Sequence, residues 1–103
     1  MTAAADILDP RTTLARPDLA EQALEGVVPA ATYRATRAMR CTAPVADVHG
    51  ETGARIDQLI FGEIFDVLDA DGDRLWGRAR RDGVVGWVAR ADLTEGGVLP
   101  AAR

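Results

Sequence analysis

Two Asp-Gly dipeptides, Asp71-Gly72 and Asp82-Gly83, cut the stretch from Gln58 to Leu93 into three short apolar or alternating runs. Asp-Gly between such runs is a hairpin signal, because both residues tolerate the left-handed backbone that a tight turn requires. The stretch therefore reads as a β-meander. It holds both Trp and both Phe residues of the chain, Phe61, Phe65, Trp76 and Trp87. Most of the large apolar volume lies here, and the fold must be organised around it.

Strand periodicity assigns faces within the meander. In Ile64 to Leu68, Phe65 and Val67 point one way. Ile64, Asp66 and Leu68 point the other, and the Asp makes that face an expected part-buried one. In Arg74 to Arg80, Leu75, Gly77 and Ala79 share one side, and Trp76, Arg78 and Arg80 the other. A Gly in a strand interior marks a bend or a close backbone approach, so Gly77 is read that way. Asp82-Gly83 is expected as a two-residue hairpin turn, Val84 to Ala89 as the returning strand, and Arg90 to Leu93 as one helical or 3₁₀ turn closing a small barrel.

The upstream half is less patterned. Residues 1 to 16 read as an extended arm with a breaker at Asp9-Pro10-Arg11. Pro17 to Leu24 is expected as a short helix. Pro17 suits the first helical position, Asp18 and Glu21 its first turn, and Gly26 its stop. Val27 to Ala31 is a linker. Arg37 to Ala43 predicts a strand with Met39, Cys41 and Ala43 on one face, limited by Pro44 to an edge or an end. His49 to Gly53 is a loop, and Ile56 to Ile60 a short strand. The expected organisation is an N-terminal arm and helix over 1–35, a barrel of about five strands over 36–94, and an exit linker over 95–103 leading to a following domain. A chain of 103 residues is one domain on length grounds.

Charge is distributed unevenly. From Asp47 to Asp73 there are eight acidic residues and one Arg, and from Arg74 to Asp92 five Arg and two Asp. Adjoining strands of opposite sign attract weakly across a ladder. The other reading is a polarised groove for a zwitterionic peptide. The net charge of −4, and the acidic hairpin lying between the Arg34-Arg37-Arg40 and Arg78-Arg80-Arg81 groups, argue against nucleic acid. A single Cys excludes an intrachain disulfide. No segment approaches the roughly 20 apolar residues of a membrane span. The N-terminus lacks a basic region followed by an apolar one, so a cytoplasmic location is expected, with the periplasm left open.

The run Leu59-Ile60-Phe61-Gly62-Glu63-Ile64-Phe65-Asp66-Val67-Leu68, then Trp76, then Asp82-Gly83-Val84-Val85-Gly86-Trp87-Val88 and Leu93, resembles bacterial SH3-like (SH3b) domains. Asp9 to Ala20, Ala43 to Val48 and Ile56 to Glu63 look like the N-terminal region of NlpC-type cell-wall cysteine peptidases. That resemblance implies an SH3-like barrel preceding a papain-like domain that cleaves γ-D-glutamyl-diamino acid bonds of murein peptides in peptidoglycan. Two positions depart from the family pattern: Val84 stands where an aromatic is usual, and Arg74 where a second Trp often stands.

No catalytic constellation emerges. Cys41 lies in an expected strand and His49 in a loop, and neither matches the Asp-Cys-Ser context of those peptidases. Asp69, Asp71 and Asp73 have the spacing of the first ligands of a calcium loop, but Gly72 comes two residues early and Arg80 replaces the closing Glu. An acidic hairpin tip is the better reading. No metal or cofactor is expected. The candidate binding residues are Trp76, Trp87, Asp66 and Arg78, on the logic that SH3-like barrels hold peptides in an aromatic groove with acidic groups at its rim. The expected function is a non-catalytic binding module of a murein-peptide endopeptidase, positioning cell-wall peptide or shaping the entrance of a neighbouring active site. Its partners would be murein peptide or the adjacent peptidase domain, and the chain a monomer or weak oligomer. The alternative is an interaction module for an extended or Pro-rich protein segment.

Overall fold

The alternating runs become seven strands of one antiparallel sheet in a computed structural model, which describes residue 9 and residues 11–95. Strand order is β5-β4-β8-β7-β6-β3-β9. Here β3 is Arg37–Cys41, β4 Val45–His49, β5 Arg55–Ile60, β6 Ile64–Asp71, β7 Arg74–Ala79, β8 Val85–Ala89 and β9 Leu93–Glu95. A separate parallel pair joins β1 (Leu19–Glu21) to β2 (Thr32–Arg34). There are thus nine strands among the described residues, where about five were expected. The difference lies in the short β1, β2 and β9 and in β4, which was not expected.

The inner face is the one that periodicity assigned. Met39 and Cys41 of β3, Phe65 and Val67 of β6, and Leu75 and Ala79 of β7 form one core cluster with Val48, Leu59, Val88 and Leu93. Every strand of the large sheet contributes to that cluster. The sheet therefore curls around a single core, consistent with an SH3-like fold. Its hydrogen bonding nevertheless leaves β5 and β9 as edges. The expected closed barrel is corrected to an open, coiled sheet. The 3₁₀ turn Arg90–Asp92 falls where it was expected, but it leads into β9 beside β3 rather than sealing the sheet.

Gly77 has its structural reason in the β6–β7 ladder. A Cβ built there would overlap the Asp66 carbonyl oxygen and lie 2.9 Å from Val67 Cα. The register slips between Val67 and Asp69, so β6 bulges directly across from the glycine. The two Asp-Gly turns behave differently. Asp71 pairs with Arg74, leaving Gly72 and Asp73 as a two-residue turn, with Gly72 at φ +64°. At the second, Ala79 N–H donates to Val84 O and Gly83 N–H to Ala79 O, so Arg80 to Gly83 form a longer loop. Asp82 explains the change: its carboxylate accepts from the Val84 N–H and folds the chain locally before the ladder begins.

The outer face of β6 and β7 is where expectation and structure part most. Leu68 and Asp66 are buried rather than half-exposed, and Trp76 is 2% exposed. Leu14 and Leu19 pack on Trp76 and Leu68 as a second cluster, with Val85 and Trp87 at its margin. The expected helix over Pro17 to Leu24 is absent. Arg16 and Leu19 exchange backbone hydrogen bonds, Ala15 bridges Ala20, and Glu21 N–H donates to Leu14 O, which makes residues 14–21 a tight hairpin. Only Gln22–Leu24 forms a 3₁₀ turn. Local helix signals lose here because a hairpin delivers both leucines to the Trp76 surface, and such burial outweighs propensity differences below about 1 kcal/mol per residue. Leu14 also fixes part of the arm that was read as extended. Residues 1–8 of that arm, Pro10 of its breaker, and 96–103 of the exit linker lie outside the described residues.

Candidate functional site

Trp87 stands at the boundary between a covered and an open half of the outer sheet face. β8 places Val88 in the inner core and, by alternation, Trp87 outside. His49 of β4 is its cross-strand neighbour on one side and Trp76 of β7 on the other. The two indoles sit 6.3 Å apart, tilted by 39°. Each carries an arginine: Arg16 lies 4.4 Å from the Trp76 ring centre and Arg74 lies 4.2 Å from that of Trp87. Arg74 thus occupies the Trp position of the family pattern without leaving the aromatic surface bare.

An open groove of about 520 Å³ runs from Trp87 along β4 to Val45. Its polar lining is His49 and Arg74 with Asp47, Asp73 and Asp92. Arg74 is tied to Asp71 at 3.3 Å. Asp47 accepts from Gln58 Nε2. Asp73 and Asp92 have no cationic partner among the described residues. A smaller groove of about 330 Å³ lies on the other side of Trp87, lined by Ile56, Glu51, Val85 and the edge of Trp76.

The four candidate binding residues have distinct placements. Trp87 lines both grooves. Trp76 lies under Leu14, Leu19 and Arg16, with one edge reaching the smaller groove. Asp66 is buried and holds Arg80 in a two-pronged pair at 2.6 and 3.1 Å. Arg78 is paired with the buried Glu21 through both guanidinium nitrogens. So Trp76 and Trp87 come together, while the two charged residues serve the sheet and its N-terminal cover. Of the groove carboxylates, Asp47 and Asp92 were not singled out from sequence, and Asp73 was weighed only for its calcium-loop spacing. Asp47 had a signal, since it is the polar position in the Val45-Ala46-Asp47-Val48 alternation. Asp73 and Asp92 are turn residues that only the sheet order brings beside it.

The opposing charge runs meet as a ladder. Asp66 faces Arg78 and Asp71 faces Arg74 across β6 and β7. Asp69 bonds Arg16 at 2.7 Å. Burial alone would raise the Asp69 carboxyl, but Arg16, the Ala70 N–H and Arg34 together outweigh it and hold the pKa below the ordinary carboxylate value. Two of the three acids of the hairpin tip are therefore engaged by arginines, which is chemistry of a structural kind.

Cys41 is fully buried in the inner core, and its thiol donates to Ala43 O. Burial pushes its pKa up, with Asp92 and Glu63 adding to the rise. A nucleophilic Cys needs the reverse, a lowered pKa and an open approach. His49 lies on the other face of the sheet, in the groove with Trp87.

A second polar centre sits at the β5 edge. Arg81 bonds Glu63 at 2.5 Å and donates to the outward Gln58 carbonyl, while Glu63 Oε1 accepts from the Ile60 N–H. Asp57 lies beneath them. Burial raises its pKa first, and the Asp82 carboxylate beside it raises it further, whereas at Asp82 burial is outweighed by Asp57, the Val84 N–H and Arg81, and its pKa is lowered. A carboxyl with a folded-state pKa above its unfolded value costs stability as pH rises through that interval. Asp57→Asn keeps a donor toward Asp82 without the charge. It is expected to raise stability at pH 7, with the gain shrinking as pH falls toward the ordinary Asp value near about 3.9. Urea midpoints of both proteins across pH 3 to 8 test this; an equal midpoint at pH 7 contradicts it.

Residues 50–93 match a family model described as the bacterial dipeptidyl-peptidase Sh3 domain. No curated protein and no solved structure matches the chain. The match spans β5 to the first residue of β9 and supports a bacterial SH3-type domain over those residues.

Proposed function

We propose that this chain is the non-catalytic SH3-type module of a murein-peptide endopeptidase of the NlpC type, and that it positions cell-wall peptide beside a neighbouring catalytic domain. The observation that carries this reading is the open Trp87 groove on a domain whose matched family is described by its place in bacterial dipeptidyl-peptidases. Its volume is of the order of small-ligand sites, which run from roughly 300 to 1,000 Å³. Trp87 offers an indole plane, and the unpaired Asp73 and Asp92 attract the free amines of a peptide carrying a diamino acid. Cys41 is inert by burial, so bond cleavage belongs to a separate catalytic domain. The groove being open on one side, affinity for the isolated chain is expected to be weak.

Titration with L-Ala-γ-D-Glu-diaminopimelate, read by Trp fluorescence, is expected to saturate at millimolar peptide in the wild type. Trp87→Ala should abolish the change, because Trp76 is shielded beneath Leu14. A flat wild-type titration would remove peptide binding from this groove, and a response that survives Trp87→Ala would place it elsewhere.

A further inference from the structure

The open half of the outer sheet face bears apolar side chains that the fold does not use. Val45 and Ile60 are directly opposed in the β4–β5 ladder and are 49% and 56% exposed. Phe61, the next residue, is 58% exposed. Val45 and Ile60 share the outer face by register, Phe61 follows at the strand end, and Val45 also lines the groove that holds Asp47, Asp73 and Asp92. The other half of the same face is covered: Leu14 and Leu19 seal Trp76 and Leu68. Large apolar side chains left exposed at one end of a ladder, beside unpaired charge, mark an interaction surface.

Charge settles what kind of partner fits. The acids elsewhere on the sheet, Asp57, Glu63, Asp66, Asp69 and Asp71, each have an arginine within ion-pair distance. Among the described residues Asp47, Asp73 and Asp92 do not, and all three line one groove with Val45. At the β5 edge Arg81 occupies the Gln58 carbonyl and Glu63 the Ile60 amide, which obstructs strand addition over those residues. The surface left open beside them is the face.

We infer that the Val45–Ile60–Phe61 face docks a protein segment in which apolar residues alternate with arginine or lysine. The apolar side chains cover Ile60 and Phe61, and the cationic ones reach Asp47, Asp73 and Asp92. This surface shares Asp73 and Asp92 with the groove assigned to murein peptide but adds the exposed Val45, Ile60 and Phe61, and it stands without that assignment.

The test uses the full chain and the synthetic peptide Ac-Arg-Leu-Arg-Leu-Arg-Leu-NH₂, with Ac-Glu-Leu-Glu-Leu-Glu-Leu-NH₂ as its counterpart, read by amide chemical-shift changes. The basic peptide is expected to shift β4 and β5 amides saturably at low salt. Affinity should fall at least tenfold in the double variant Ile60→Ser/Phe61→Ser, and at least tenfold in Asp73→Asn/Asp92→Asn. Ile60, Phe61 and Asp73 are exposed and Asp92 is part-buried without an ion pair among the described residues, so wild-type amide dispersion should persist, and the murein-peptide titration should be unchanged in Ile60→Ser/Phe61→Ser. Equal binding of the acidic peptide, or undiminished binding by either variant, overturns the inference. So does concentration-dependent self-association of the chain, by sedimentation equilibrium, that Ile60→Ser/Phe61→Ser abolishes. That result would give the face to a second copy.

Discussion

Gly77→Ala is expected to remove most of the stability of this domain, on the order of 3–5 kcal/mol, a size reserved for core disruption and backbone clashes. The added methyl carbon would overlap the Asp66 carbonyl and press on Val67 Cα, and both are backbone atoms that no rotamer change can move. Relief requires β6 and β7 to separate at the centre of the sheet, where Phe65 and Val67 meet Leu75 and Ala79. A single domain of this size has a total stability of about 5–15 kcal/mol. The measurement is a urea midpoint, with Gly72→Ala as the comparison. Gly72 has φ +64° but open space around it, so its substitution incurs only the left-handed backbone penalty of about 1–2 kcal/mol. If Gly77→Ala proves no worse than Gly72→Ala, the close approach of the two strands is wrong.

Leu14→Ala carries the second large effect. Leu14 is fully buried although it lies outside any strand, in the first arm of the 14–21 hairpin. Removing its side chain leaves a cavity over Trp76, and buried Leu→Ala changes cost about 2–5 kcal/mol. The loss should come with a red shift of Trp emission, because water gains access to an indole that is 2% exposed in the wild type. A stability change below about 1 kcal/mol with unaltered emission would mean that residues 14–21 do not cover the sheet in solution. The same segment carries Glu21, whose pairing with Arg78 ties it to β7 at a second point.

These two residues also mark what could be read from the chain and what could not. Gly77 was legible because a glycine in the middle of Leu75-Trp76-Gly77-Arg78-Ala79 weakens the strand, a cost that a close backbone neighbour makes necessary. The inner core was legible through periodicity: Phe65, Val67, Leu75 and Ala79 keep strict period-two spacing. Leu14 and Leu19 were not. Their spacing carries no period, and Pro17, Asp18 and Glu21 supply helix signals that the tertiary contact with Trp76 overrides. Burial of Asp66 and Leu68 went unseen with them, since the second face of β6 looks half-polar until its cover is known. At the site, Trp87 could be named from its strand position. The carboxylates around it could not, because Asp47, Asp73 and Asp92 are neighbours only through the sheet order that sets β4 beside β8. Arg78 illustrates the opposite limit: a charged residue on the face of a Trp looks available until its counter-ion, 57 positions away, is known.

The clasp of Arg81 and Glu63 over β5 bears on how the protein lives in a crowd. A stray extended chain seeking to pair with β5 at Gln58 and Ile60 would have to evict a guanidinium and a carboxylate first. Ile60 and Phe61 can therefore stay bare beside this rim without templating a further strand at those two residues.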